Sequence, residues 1–344
     1  MLDAGINYID TSIDYGLSEE RIGRYIASRR SEYYLARCVP RSNVASLPRA
    51  PHRSDMQPQR SGPFPYVPIN RRPRITWPNG ARLALWVIPN VETFPLNEPV
   101  PGGTGLAPDV INWAPRDYGN RVGIFRMMEV MARHGVRGTV ALNAEVCDDY
   151  PQIIEDARAL GWEFMGHNQS NARLLHLMAP DEERRVVLAT FSRIEKATGH
   201  RPKGWLSSGL QESWHTLDYL VEAGATYVAD WINDDQPYLM NIGGQRLCSI
   251  PYSGEINDLP QILRAGRSSD EFELMIRRQF DTLYREGAQS GRVMAICLHP
   301  FVIGVPHRIG ALDAALAYIL RHEGVWRATG SEIIEHYLAS EATF

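Results

Sequence analysis

Along the chain, short apolar runs alternate with amphipathic stretches, and the rhythm is most regular after Gly80. There it predicts strands over 82–91, 138–143, 162–166, 203–206, 226–230, 246–250, 292–298 and 325–328. Between them the spacing predicts helices over 120–134, 149–160, 181–197, 214–223, 270–286, 309–322 and 331–339. Strands that alternate with helices imply a parallel sheet, because a parallel crossover needs a connection of helical length. About seven such units imply closure into a (β/α) barrel, which places chemistry at the C-terminal ends of the strands.

Before Gly80 the pattern changes twice. Residues 1–39 carry one βαβ-like unit, with a strand from Ile6 to Ile9, a helix from Ser18 to Ser28 and a strand from Tyr33 to Val39. From Pro40 to Pro78 the periodicity is lost, and nine of the chain's 23 prolines fall there. Proline removes backbone donors and restricts its predecessor, so this stretch reads as a linker or extended arm. The chain thus divides into 1–39, 40–78 and 79–344.

Composition narrows the function classes. With 344 residues, 44% of them hydrophobic, the chain can bury a sizeable core, and disorder is excluded. A net charge of -4 and no long Lys/Arg block argue against a nucleic-acid partner. Cys38, Cys147, Cys248 and Cys297 lie far apart with no CxxC pair, so they read as reduced core residues rather than a zinc knuckle or disulfide framework. The apolar stretch LALWVI at 83–88 falls far short of the roughly 18 residues that span a bilayer. The opening MLDAGINYID has an acid and no basic run, unlike a secretory leader. A cytoplasmic protein with no membrane partner is expected.

The strand ends carry the candidate chemistry. The first delivers Asn90-Val91-Glu92-Thr93, where Glu92 can act as a general base or a metal ligand, or be a solvated loop residue. Strand 162–166 runs into His167-Asn168-Gln169-Ser170-Asn171, side chains able to coordinate, hydrogen-bond or cap. Gly204-Trp205-Leu206-Ser207-Ser208-Gly209 reads as a binding wall or a tight loop. Asp230-Trp231-Ile232-Asn233-Asp234-Asp235 crowds three carboxylates near Trp231 and Tyr238, which suits a polar substrate or a turn. The apolar strand 292–298 delivers His299-Pro300, with His307 and Arg308 beyond it. The Arg308 fork matches a planar carboxylate or ureido oxygen.

Taken in order, WPNGARLALWVIPNVE at 77–92, GWEFMGHNQSN at 161–171, GWLSSG at 204–209, DWINDDQPY at 230–238, LHPFVIGVPHR at 298–308 and GVWRATGSEI at 324–333 resemble the motifs of the polysaccharide deacetylase (NodB-homology) superfamily. The likeness covers about residues 70–340, and it is greatest to the intracellular branch that includes the metal-independent allantoinases. The resemblance implies a distorted TIM-like (β/α) barrel, here with an N-terminal appendage. It also implies a base followed by a metal-binding carboxylate in the first motif and two metal-binding histidines in the second. Glu92 falls at the base position, but Thr93 stands at the carboxylate and Asn171 at the second histidine. A divalent metal such as zinc would then be held weakly through His167 and Asn171, or not at all. His299 matches the general acid of the last motif. Trp205 stands near the family's Arg, and Asp230, Asp234 or Asp235 near its Asp.

LDAGINYIDTSIDYGLSEERIGRYI, by contrast, resembles an N-terminal fragment of an aldo-keto reductase, with Asp10 and Tyr15 at its active-site positions. The stretch is too short to assemble an NADPH site. The combined expectation is a hydrolase of carbon–nitrogen bonds other than peptide bonds, acting on a small ureide, imide or N-acyl substrate. Glu92 would be the base and His299 the acid, with Asn90, Trp205, Trp231, Asp234, Asp235 and Arg308 around the substrate. A homodimer or homotetramer is expected. The alternatives are a metal-dependent N-deacetylase of oligosaccharide or peptidoglycan fragments, and a catalytically impaired barrel that only binds a ligand.

Overall fold

The computed structural model describes residues 59–341 throughout, together with two strands near the N-terminus, β1 (Tyr8–Ser12) and β2 (Tyr34–Cys38). These two pair in parallel, Tyr8 opposite Tyr34. The chain divides into two compact units, Met1–Asp55 and Met56–Phe344. The expected helix at 18–28, Tyr15 and the arm up to residue 58 lie outside the described residues, as do the side chains of Asp10 and Cys38.

The second unit is built on strands β3 (Leu83–Val91), β4 (Thr139–Leu142), β5 (Glu163–Gly166), β6 (Gly204–Trp205), β7 (Tyr227–Val228), β8 (Tyr238–Ile242), β9 (Gln245–Ser249), β10 (Arg292–Leu298) and β11 (Val325–Arg327). Their order is β10-β3-β4-β5-β6-β7-β9-β8, and β11 takes the lower part of a β3 edge. All pairs are parallel except β8 with β9. The sheet curls into a half-barrel and does not close strand on strand. The gap before β10 is spanned by irregular chain: Cys297 N–H donates to Ile256 O at 2.9 Å and Val293 N–H to Asp235 O at 3.0 Å.

Around the sheet lie α1 (Val110–Tyr118), α2 (Ile124–Arg133), α3 (Val146–Asp149), α4 (Pro151–Ala159), α5 (Pro180–Thr198), α6 (Thr216–Ala223), α7 (Ser269–Gly287), α8 (Ile309–Ile319) and α9 (Gly330–Glu341). Strand alternation sorts the side chains into two cores. Ala84, Trp86 and Ile88 face inward with Met165, Leu206, Tyr227, Ile250 and Cys297. Leu83, Leu85 and Val87 face outward and pack with residues of α2, α7 and α8 such as Met127, Phe280 and Leu316.

Two elements differ from the pattern-based expectation. The helix expected from 120 begins ten residues earlier: α1 runs through Pro115 into a π-helical turn at Gly119–Gly123 and on into α2. None of α1's residues is fully buried, and Pro115 in its interior reads in sequence as a helix break. The glycines of the turn let it press on the loop after β10, since a Cβ on Gly119 would sit 2.7 Å from Phe301 N and one on Gly123 would collide with the Pro300 carbonyl. The second difference is β8, a hairpin strand joined to β9 through Gly243 and Gly244, both at positive φ (58° and 86°). Two such residues make the tight turn that suits a twisted hairpin. Among the described residues no helix is long and apolar enough to cross a membrane.

Candidate active site

Continuing the strand alternation past the C-terminal ends brings four polar side chains to the mouth of the half-barrel. Glu92 follows Ile88 and Asn90 on β3, Asn143 follows Ala141 on β4, His167 follows Met165 on β5, and His299 follows Cys297 on β10. All four are buried. Glu92 Oε1 is the point of convergence. It accepts from Asn171 Nδ2 at 2.5 Å and lies 3.3 Å from His167 Nε2 and 3.8 Å from His299 Nε2.

The supports of these groups fix their chemistry. His167 Nδ1 donates to the Leu206 carbonyl at 2.6 Å, which sets that proton on Nδ1 and leaves Nε2 facing Glu92. His299 Nδ1 donates to Asp258 Oδ1 at 2.7 Å. Asp258 is fully buried and also accepts the backbone N–H of His299 and Ile303. Asn143 ties three strand ends together: its Oδ1 accepts from Thr93 N–H at 2.9 Å, while its Nδ2 donates to His167 O and to Asn171 Oδ1. Ser208 Oγ gives Asn171 Oδ1 a second donor at 2.6 Å. With its oxygen thus occupied, Asn171 can turn only its NH₂ toward Glu92.

Charge follows geometry. Burial pushes the Glu92 carboxyl up, but the His167 contact, His299 and the Arg116 guanidinium outweigh it and hold the group below the usual range, as a carboxylate. For His299, burial alone would lower the pKa; the Asp258 carboxylate and Glu92 overcome it, and the net shift is upward, favouring the imidazolium. The two shifts run in opposite directions, Glu92 toward its ionised form and His299 toward its charged one. Arg116 stands over the rings of Phe94 and Phe301, at 4.8 and 5.1 Å. Its Nη1 bonds Asn112 O while Nε has no partner, so a cation overlooks the mouth.

A zinc-type centre does not fit this donor set. Such a site wants at least three His, Cys or carboxylate ligands, and no group of three with that potential occurs among the described residues. Asn171 shows an NH₂ rather than an oxygen, and the Thr93 hydroxyl lies 3.5 Å from Asp149 Oδ2. The expected metal pair of His167 and Asn171 is corrected accordingly: both residues hold Glu92 instead.

Several nominated substrate contacts are spent elsewhere. Trp205 is fully buried on the outward face, stacked on Phe191 at 5.7 Å, with Nε1 bonded to Ser207 Oγ. Asn90 ties β3 to β10 by donating to Leu298 O and accepting from the Tyr252 hydroxyl. Asp234 forms an ion pair with Arg72 that fastens the proline-rich arm. Asp235, its carboxyl pushed up by burial, shares with Asp234 a cavity of about 1010 Å³ under that arm. Trp231 walls a different cavity of about 510 Å³, with its Nε1 on Glu212 and its ring edge-on to Phe64. Arg308 bonds Val302 O at 3.3 Å. The cation at the mouth is Arg116, and the carboxylate partner of His299 is Asp258 rather than Asp230, Asp234 or Asp235.

The comparisons agree with this architecture. Residues 117–228 match the polysaccharide deacetylase family. A putative polysaccharide deacetylase of Schizosaccharomyces pombe is 27% identical over 242 residues, which is 65% of this chain and 75% of that protein. Among solved structures, a probable polysaccharide deacetylase of Pseudomonas aeruginosa PAO1 superposes with a TM-score of 0.72 at 26% identity, covering 78% of this chain and 95% of that one. Puue allantoinase superposes with a TM-score of 0.71 at 26% identity, covering 78% and 94%.

Proposed function

Since the chain carries a polysaccharide deacetylase domain and is a hydrolase of that family, we propose that it hydrolyses the carbon–nitrogen bond of a small amide (a ureide, imide or N-acyl group), with Glu92 as base and His299 as acid. The observation that carries this reading is the Glu92 carboxyl set 3.8 Å from His299 Nε2, with the far nitrogen of that ring clamped by Asp258.

Water attacks the carbonyl carbon as Glu92 takes its proton, so a C–O bond forms and the carbonyl electrons move onto oxygen. Arg116, the cation at the mouth, is placed to hold that oxygen or a substrate carboxylate. When the oxyanion collapses, the C–N bond breaks and His299 Nε2 gives its proton to the departing nitrogen. Glu92 then returns its proton to solvent and His299 regains one. The half-buried amide of Asn171 keeps Glu92 Oε1 aimed without withdrawing its charge.

The Puue allantoinase likeness supports a ureide or cyclic imide, whereas the polysaccharide deacetylase likenesses support an N-acetyl group. Ring opening of allantoin and hydantoin, followed as formation of the open carboxylate, and amine exposure on N-acetylglucosamine oligomers separate them. Turnover of allantoin or hydantoin alone is expected; turnover confined to N-acetyl sugars assigns the N-deacetylase reading, and no turnover of any of the three contradicts the proposal.

A further inference from the structure

The peptide unit between Leu206 and Ser207 has both of its polar ends taken by buried side chains. Its carbonyl accepts from His167 Nδ1 at 2.6 Å, and its N–H donates to Asp230 Oδ1 at 2.6 Å. Leu206, Ser207, His167 and Asp230 are all buried. Asp230 thus bonds a residue 23 positions away, on the neighbouring strand end, rather than closing a local turn. We propose that Asp230 is a positioning residue that acts on His167 through this single peptide, a carboxylate–amide–imidazole chain that holds Nε2 toward Glu92.

The physical basis is cooperative polarisation. A carboxylate on the N–H of an amide draws density toward its carbonyl oxygen, and the better acceptor binds Nδ1–H more tightly. That bond selects the tautomer and the ring orientation, as the outer partner of a functional histidine commonly does. A lone buried carboxylate would be costly here. The Ser207 N–H bond opposes the upward push that burial gives the Asp230 carboxyl, whereas burial and the neighbouring Asp230 drive the Glu212 carboxyl further up. Of the two, the group that meets Ser207 N–H is the one that more readily carries the charge.

The turnover part of the test rests on the hydrolase reading; the spectroscopic part does not. In Asp230→Asn, kcat on whichever of allantoin, hydantoin or N-acetylglucosamine oligomers the wild type hydrolyses should fall about 10- to 100-fold, with KM within about twofold. In ¹H–¹⁵N spectra of the full chain the Ser207 amide proton and the His167 Nδ1 proton should both move upfield. His167→Gln provides a second route, because it removes the imidazole on which Asp230 is proposed to act. If Asp230 acts only through His167, adding Asp230→Asn to His167→Gln costs nothing further in kcat. Additive losses, or an unchanged His167 signal in Asp230→Asn, would overturn the proposal. A wild type that hydrolyses none of the three amides while the His167 signal still shifts would sink the hydrolase reading and leave this one standing.

Discussion

If Glu92 and His299, 3.8 Å apart, divide the proposed hydrolysis between them, the pH dependence should report both. Glu92 must be ionised and His299 protonated for turnover. With the Glu92 pKa held below its ordinary 4.5 and that of His299 raised above 6.5, the profile of kcat/KM should be a bell. Its acid limb should lie below the first value and its alkaline limb above the second. Replacing Asp258 by Asn removes the anion that raises His299, so the alkaline limb should move to lower pH while the acid limb stays. An alkaline limb unmoved in that variant would mean that Asp258 does not set the acid. At this scale Glu92, His167 and His299 were legible because each ends an apolar strand with a group that has little reason to be buried except chemistry. Asp258 was not, since its partner lies 41 residues away and nothing in YSGEINDLP marks it. Trp205 was misplaced although the signal was there: with Leu206 facing inward, its neighbour must face out.

At the scale of elements, the mouth depends on how closely the π-turn lies on the loop after β10. Gly123→Ala would drive a Cβ into the Pro300 carbonyl, next to the residue that supplies the acid. Because backbone meets backbone, no rotamer relieves the clash. A loss of about 1–3 kcal/mol is expected, read as a lower midpoint in urea, together with slower turnover. Wild-type stability would contradict the packing described. The apolar strands and the stripe-bearing helices were legible from period alone. The rim helix α1 was not, as Pro115 interrupts it and none of its residues is fully buried, and β8 was missed because Tyr238 and Leu239 are both half-buried and alternation begins only at Met240. The orientation of the Asn171 amide was hidden for a related reason. Spacing places Asn171 beside Glu92, but only the donors from Asn143 and Ser208 decide which end of its amide points there.

On the scale of the whole molecule, every group assigned to the reaction lies between Glu92 and His299, inside the unit Met56–Phe344. A chain beginning at Met56 is accordingly expected to hydrolyse the same amide at the rate of the full chain; a large loss would show that residues 1–55 contribute to the site. The barrel was legible in the alternation of elements, whereas its incomplete closure was not, because the bridging segments at 235 and 256 carry no strand pattern. The most direct test of the account compares the rate of amide hydrolysis, followed as loss of substrate, by the wild type and by Glu92→Gln, which preserves shape but removes the base. The variant should be slower by about 10²–10⁴ with its fold intact by circular dichroism. Turnover near the wild-type rate would contradict Glu92 as the base and with it the mechanism built on the Glu92–His299 pair.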